Sequence, residues 1–111
     1  KIKIKKFSYI FSLSILRFFS AVFREDSNLF PEDGYLPSNK LSKLEALKGM
    51  TIWGAYSNFE ENIKGSIEVG KVADFVILDR DLLDESKKRI LNAKIVATIL
   101  NGNIVYSNRI N

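Results

Sequence analysis

Four acidic residues in the second half of the chain have a spacing that could bind a cation. Asp79, Asp81 and Asp84 alternate along the sequence and end beside Glu85, and Ca²⁺ sites draw oxygen ligands from runs spaced in this way. The run lacks the loop glycine and the closing bidentate glutamate of a calcium loop. Because aspartate readily occupies turns, the run predicts a polar turn that leads into a helix rather than a metal site.

Other residues that could support catalysis lack the partners that such chemistry requires. Glu60 and Glu61 are adjacent acids without an accompanying base, so they predict the solvated end of a helix. Gly65 and Gly70 do not form a phosphate-binding loop, because no strand precedes them and no helix follows. The 111 residues include no histidine and no cysteine, which removes the common imidazole and thiolate ligands and bases. The sequence therefore predicts no catalytic, cofactor-binding or metal-ligating residue in this chain.

The positive charge of the chain is concentrated at its beginning. Four of the 17 basic residues lie within the first six positions, and the other 13 balance the 13 acidic residues. The remaining residues therefore carry no net charge, which argues against a surface that binds the phosphates of nucleic acids. We expect no nucleic-acid partner. The basic run at 87–89 predicts a solvated helix face.

The remaining elements are organised around residues 64–79, KGSIEVGKVADFVILD. A glycine-rich turn here leads into a predicted strand at 73–78, whose β-branched and aromatic residues favour a half-buried sheet. Asp74 can bond the backbone of the turn and so fix where the strand begins. Further on, Asn101 and Gly102 favour a type I′ turn between predicted strands at 93–100 and 103–107.

Three helices are predicted before and between these strands. Residues 14–26 form the first, with Leu16, Phe19 and Phe23 at helical spacing. The alternative is a secretory leader over residues 1–23, which begin basic and continue apolar. No small-residue cleavage site follows this segment, and its apolar run is too short and interrupted to span a membrane.

The second predicted helix begins at Ser42, with Glu45 as its capping-box partner, and continues to about residue 58. On it, Trp53 predicts a core or interface anchor. Tyr35 and Leu36 are expected to pin the preceding loop, residues 27–41, to the core. The third predicted helix covers residues 84–91, with Asp84 as its cap.

Three linked motifs resemble the amidohydrolase superfamily of metal-dependent hydrolases, in the branch usually called family three. They are GSIEVGKVADFVILD at 65–79, TIWGAYSNFEE at 51–61 and IVATILNGNIVY at 95–106. The resemblance extends from about Ser14 to Tyr106. It implies a parent enzyme with a (β/α)₈ barrel, which needs about 250 residues, so this chain would hold only the last part of one.

The implied fold of the chain is α+β. Residues 1–13 would be a basic and apolar extension, residues 14–61 the last helices of a truncated TIM barrel, and residues 62–111 a small, mostly antiparallel sheet belonging to a composite β-sandwich. The implied parent uses zinc or a similar divalent ion to hydrolyse carbon–nitrogen bonds outside peptides. Its ligands would be histidines, often a modified lysine, and an aspartate. The position of that aspartate falls near residues 7–9, which are Phe, Ser and Tyr, so we expect this chain to be inactive by itself.

The resemblance also implies partners. The terminal strands of the family pair with strands from the start of the parent, so we expect this segment to be structural and to bind the remainder of the parent or to self-associate. We expect a cytoplasmic location and no membrane partner. The alternative is a stand-alone small interaction protein, exported or membrane-associated through its N-terminus.

Overall fold

The computed structural model describes residues 14–108, which form an α+β fold with the helices mainly first and the sheet last. This order agrees with the predicted class. The elements are α1 (14–23), a short 3₁₀ turn (Pro37–Asn39), α2 (Lys43–Met50), α3 (Ile52–Ser57), β1 (Phe75–Leu78), α4 (Lys87–Leu91), β2 (Ile95–Leu100) and β3 (Asn103–Ser107). The basic extension and the first 13 residues of the leader considered above lie outside the described residues, and residues 14–23 of the leader form α1. Between 14 and 108, no helix is both long enough and apolar enough to cross a membrane.

The core is built on α1. Phe18, Phe19 and Val22 are buried there and pack with side chains from α2, from the 79–86 turn and from α4, namely Ala46, Leu82 and Ile90. Of the predicted stripe, only Phe19 is fully buried, and its neighbours Leu16 and Phe23 are half-buried. The helix therefore faces the core through a stripe rotated from the predicted one.

The predicted helix from Ser42 to about residue 58 is two helices in the structure. The capping box at its start is confirmed, since Ser42 Oγ accepts from the Glu45 N–H at 3.1 Å and Glu45 accepts from the Ser42 N–H at 3.0 Å. The break falls at Thr51, whose backbone has φ −125° and ψ −99°. Its hydroxyl donates to the Leu47 carbonyl at 2.8 Å, and this local bond offers the backbone an alternative to the helical ladder.

The sheet has the order β1-β2-β3 and is antiparallel throughout. Asn101 and Gly102 both have positive φ, +49° and +78°, which agrees with the predicted type I′ turn. At the same end of the sheet, next to the start of β1, Asp74 accepts a hydrogen bond from the Asn101 N–H at 2.7 Å. The Asp74 side chain thus holds the β2–β3 turn, whereas the sequence predicted a bond to the backbone of the glycine-rich turn before β1.

Two loop predictions are wrong. Tyr35 and Leu36 are 63% and 49% exposed, and backbone bonds hold the 27–41 loop instead, since the Tyr35 N–H donates to the Arg24 carbonyl at 2.8 Å. Asp84 does not cap α4, because the helix begins two residues later and Ser86 is its N-cap residue.

Candidate functional site

Asp79, the first acid of the candidate calcium run, is held by its own neighbours. Its two carboxylate oxygens accept from the Arg80 guanidinium at 2.9 Å, and one of them also accepts from the Lys94 N–H at 2.9 Å. The Arg80 bonds, followed by the Lys94 bond, lower the pKa of Asp79 from 3.8 to about 2. Arg80 also donates to the Arg89 carbonyl, so this carboxylate joins the end of β1 to the start of β2 and to α4.

The other acids of the run serve separate local contacts. Asp81 accepts from the Leu83 N–H at 2.8 Å, and Glu85 pairs with Arg89 at 2.5 Å. From residue 14 to residue 108, no three acidic, histidine or cysteine side chains come together as a metal-binding group. The structure thus places these acids in a polar turn before α4.

Glu60 and Glu61 do not act as a pair. Glu60 forms a salt bridge with Lys64 at 2.9 Å, and hydrogen bonds from Lys64 and Asn58 lower its pKa. One oxygen of Glu61, Oε2, is buried and has no hydrogen-bond partner. The two adjacent acids therefore have different surroundings and do not form an acid–base pair.

The glycine-rich turn contains a polar cluster that the sequence reasoning missed. Lys71 Nζ lies 2.6 Å from Ser66 Oγ and 2.8 Å from Glu68 Oε2, and the Ser66 hydroxyl is hydrogen-bonded to Glu68. Serine and lysine together form a nucleophilic pair in some hydrolases. Here Lys71 donates to both oxygens and so acts as a donor rather than a base, while its contact lowers the pKa of Glu68. The cluster closes the turn.

The basic run at 87–89 lies on α4 with Lys88 and Arg89 exposed, as predicted. Lys87 differs from them, because its ammonium lies 2.8 Å from Glu25 Oε1 and 5.2 Å from the centre of the Phe23 ring. Glu25 is only 4% exposed, and its second oxygen has no partner. The pair joins the end of α1 to the start of α4. No sequence signal identifies it, since the two residues are 62 positions apart.

An apolar cleft of about 1170 Å³ lies between the helices and the sheet. It is lined by residues of all three leading helices, of the glycine-rich turn and of strands β1 and β2, among them Phe18, Leu47, Ile52, Ala55, Val76 and Leu78. Thr98 also lines it, and its buried hydroxyl has no hydrogen-bond partner. Gly65 packs directly on α3 at this cleft, because a Cβ there would lie 2.7 Å from Ala55 Cβ. The lining of the cleft is mainly apolar, and the charged residues Glu60 and Lys64 in it are paired with each other.

Comparison with known proteins identifies the family of the chain. The sequence profile of the amidohydrolase family matches residues 14–106. The chain belongs to the amidohydrolase family. Protein LONG AFTER FAR-RED 3 of Arabidopsis thaliana is 36% identical over 75 residues, which are 68% of this chain and 13% of that protein. The match thus spans about an eighth of the curated relative's length. No solved structure matches the chain.

Amidohydrolases are generally metal-dependent, and the donors of this segment do not fit such a metal. Zinc sites use histidine, cysteine and carboxylate ligands, and this sequence has neither of the first two. Two of its carboxylates are already bound to cations of the chain, as Glu25 is to Lys87 and Asp79 is to Arg80. Among residues 14–108, no three potential ligands come together.

Proposed function

We propose that this chain is the closing segment of a longer amidohydrolase that hydrolyses carbon–nitrogen bonds outside peptides with the help of a divalent metal. In that parent the segment has a structural role. It covers part of the catalytic barrel with its helices and supplies the last strands of the adjoining sheet, while the metal and its ligands belong to the preceding residues.

The observation that carries this proposal is the extent of the family match. It covers residues 14–106 of 111, yet the stretch shared with the curated relative is 13% of that relative. A match of this kind is typical of one part of a larger catalytic fold. A barrel requires about 250 residues, so the active centre has to come from chain outside this segment.

The cleft supports the same proposal, because it is a surface suited to packing against further chain. Its lining is mainly apolar, and several of its side chains remain exposed, including Met50 at 44%, Ile67 at 86% and Leu100 at 38%. Exposed apolar patches of this kind mark contact surfaces. Thr98 adds a hydroxyl that backbone groups of a packed neighbour would satisfy.

The test begins with the coding sequence upstream of Lys1. We expect an open reading frame that contains a histidine-x-histidine pair, and we expect its full-length product to bind about one or two divalent ions, measured by plasma mass spectrometry, and to hydrolyse members of a panel of N-acyl and cyclic amides. The 111-residue chain is the control and should do neither. A full-length product without metal and without amidase activity would contradict the proposal.

Two residues of the glycine-rich turn test the structural role. Ile67 and Val69 are both highly exposed, at 86% and 107%, but only Ile67 lines the cleft. In the 111-residue chain, Ile67→Asp and Val69→Asp should each change the stability by no more than about 0.5 kcal/mol. In the full-length product, Ile67→Asp should lower the melting temperature and Val69→Asp should not. Equal effects of the two variants would show that the cleft is not a packing surface.

A further inference from the structure

We propose that Asn101 is a site of spontaneous deamidation, and that Asp74 and the Ala73 carbonyl control the rate at which it reacts. Of the asparagines in the sequence, Asn101 alone is followed by glycine. Glycine has no Cβ, so its backbone nitrogen is the least hindered of any residue. This inference concerns the chemical stability of the β2–β3 turn and does not depend on the proposed hydrolase activity.

The reaction needs only the residues of the turn and water. The Gly102 backbone nitrogen loses its proton and attacks the carbonyl carbon of the Asn101 side chain, Cγ, so that a new N–Cγ bond forms. The bond between Cγ and Nδ2 breaks, and the side-chain amide takes up a proton and leaves as ammonia. Water then opens the resulting five-membered succinimide ring at either of its carbonyl groups, which leaves aspartate or isoaspartate at this position.

The surroundings of the turn leave room for this reaction. Asn101 and Gly102 are both exposed, and a Cβ added to Gly102 would meet nothing within 4 Å. Asp33 is the one aspartate that also precedes a glycine, but a Cβ at Gly34 would clash with the Phe23 carbonyl oxygen. Base and water can therefore reach the turn at Asn101, whereas the turn at Asp33 is packed against the end of α1.

Two hydrogen bonds hold the turn in a form that opposes the reaction. The Asn101 N–H donates to Asp74 Oδ1 at 2.7 Å, and the Gly102 N–H donates to the Ala73 carbonyl at 3.0 Å. The attacking nitrogen is thus engaged as a donor. Loss of its proton would direct the lone pair of the nitrogen against the lone pairs of the Ala73 oxygen, so the bond disfavours the reactive form of the nitrogen.

The same two bonds oppose closure of the ring. Closure requires rotation about the bond between the Asn101 Cα and its carbonyl carbon, because this rotation brings the Gly102 nitrogen to the Asn101 side chain. The two N–H groups lie on either side of that bond, and both are tied to residues 73 and 74. The turn therefore has to detach from the start of β1 before Asn101 reacts, and the contacts that hold it there set the free energy of this local opening.

Deamidation in turn weakens the contact that delays it. Either product adds a carboxylate at position 101, whose backbone nitrogen lies 2.7 Å from Asp74 Oδ1, and like charges so close together repel. Isoaspartate also carries the main chain through its Cβ, which adds one atom to a two-residue turn. Since the turn sets the register of a hairpin, we expect isoaspartate to disturb the Leu100–Asn103 pair where β2 meets β3.

Peptide mapping by mass spectrometry measures the reaction directly, because replacement of the side-chain NH₂ by OH changes the mass and the isoaspartyl peptide separates from the aspartyl one. In the folded 111-residue chain at neutral to mildly alkaline pH, Asn101 should react before any other asparagine, at a rate that rises with the hydroxide concentration. In urea that unfolds the chain, it should react at least about tenfold faster. Equal rates in the folded and unfolded chain, or a faster reaction at another asparagine, would overturn the proposal.

Asp74→Ala is the decisive variant, because it removes the bond to the Asn101 N–H. It should accelerate deamidation roughly five- to tenfold, which is the size of effect expected for the loss of one hydrogen bond to a charged acceptor at the surface. Asp74→Asn keeps an acceptor oxygen at the same place and should restore most of the protection. An unchanged rate in Asp74→Ala would overturn the proposal.

Asp79→Ala is the matched control. Asp79 also accepts from a backbone N–H, that of Lys94, but at the other end of β1. Its replacement should lower the melting temperature at least as much as Asp74→Ala, because it also removes the Arg80 contact, yet it should leave the rate at Asn101 within about twofold. Equal acceleration by the two variants would show that Asn101 reacts only from the unfolded chain, and would overturn the proposal.

The original chain supplies a test that needs no variant. At urea concentrations below the unfolding transition, the rate at Asn101 should stay nearly constant, because detachment of the turn exposes little surface to the denaturant. The rate should then rise through the transition itself. A rate that follows the equilibrium constant of global unfolding from the lowest urea concentrations onward would overturn the proposal without bearing on hydrolase activity.

Discussion

Replacing Gly65 with alanine should destabilise the fold by roughly 2–5 kcal/mol, and the cost has two separable sources. Gly65 has φ +97°, where an L-residue costs about 1–2 kcal/mol. Its added Cβ would also lie 2.7 Å from Ala55 Cβ and 3.0 Å from Ile52 Cα. Forcing helix α3 away from the turn costs a further ~1–3 kcal/mol.

Gly70 isolates the backbone part of this cost. Its φ of +90° is nearly the same, but a Cβ there meets nothing within 4 Å. Gly70→Ala should therefore cost only about 1–2 kcal/mol, partly offset by the lower entropy of the unfolded chain. Urea unfolding followed by far-ultraviolet circular dichroism measures both variants. Equal losses would refute the reasoning that the turn is packed against α3.

A second substitution locates the clash. Ala55→Gly removes the atom nearest to the new methyl group, at a cost in helix propensity of about 1 kcal/mol. Combined with Gly65→Ala, it should recover part of the steric loss, so the two changes should be coupled favourably by about 1 kcal/mol. Strict additivity of the two free energies would indicate that the backbone of Ile52, not Ala55, is the obstacle.

Three further predictions concern charges and caps. Lys87→Met should destabilise the chain by about 1–3 kcal/mol because it leaves the Glu25 carboxylate buried without its partner. Adding Glu25→Gln should recover part of this loss in urea unfolding. No recovery would mean that Lys87 acts through packing alone. Because folding lowers the pKa of Asp79 to about 2, its contribution to stability is fully present above pH 3.8 and disappears as the pH falls towards 2. Asp79→Asn should flatten the dependence of the unfolding free energy on pH in that range. An unchanged dependence would contradict the assigned Arg80 contact. Ser42→Ala should cost about 1 kcal/mol, measured by thermal unfolding, whereas a neutral result would show that the capping box adds nothing to α2.

Local sequence signals predicted the elements whose cause is local. The Asn101–Gly102 turn follows from two residues that tolerate positive φ. The capping box of α2 likewise depends on residues three positions apart, Ser42 and Glu45. The overall order of helices and strands follows from such signals together with the family motifs.

Features that depend on distant contacts could not be predicted in this way. Glu25 is an acid near the end of a helix by sequence, and only the folded chain brings Lys87 to it over 62 positions. The break at Thr51 has a local cause that the sequence pattern did not reveal, because the Thr51 hydroxyl bonds the Leu47 carbonyl in competition with the helical ladder. Trp53 was expected as a core or interface anchor, and its 48% exposure excludes the core.

The family motif at 65–79 is best explained by packing and hydrogen bonding rather than by catalysis. Gly65 permits close contact with α3, and Lys71 closes the turn through Ser66 and Glu68. Asp74 and Asp79 then bind backbone N–H groups of Asn101 and Lys94, far along the chain. Asp74 and Asp79 thus join β1 to other elements, while Ser66, Glu68 and Lys71 hold the turn itself together. These packing and hydrogen-bonding roles give the family motif a structural function in this amidohydrolase segment.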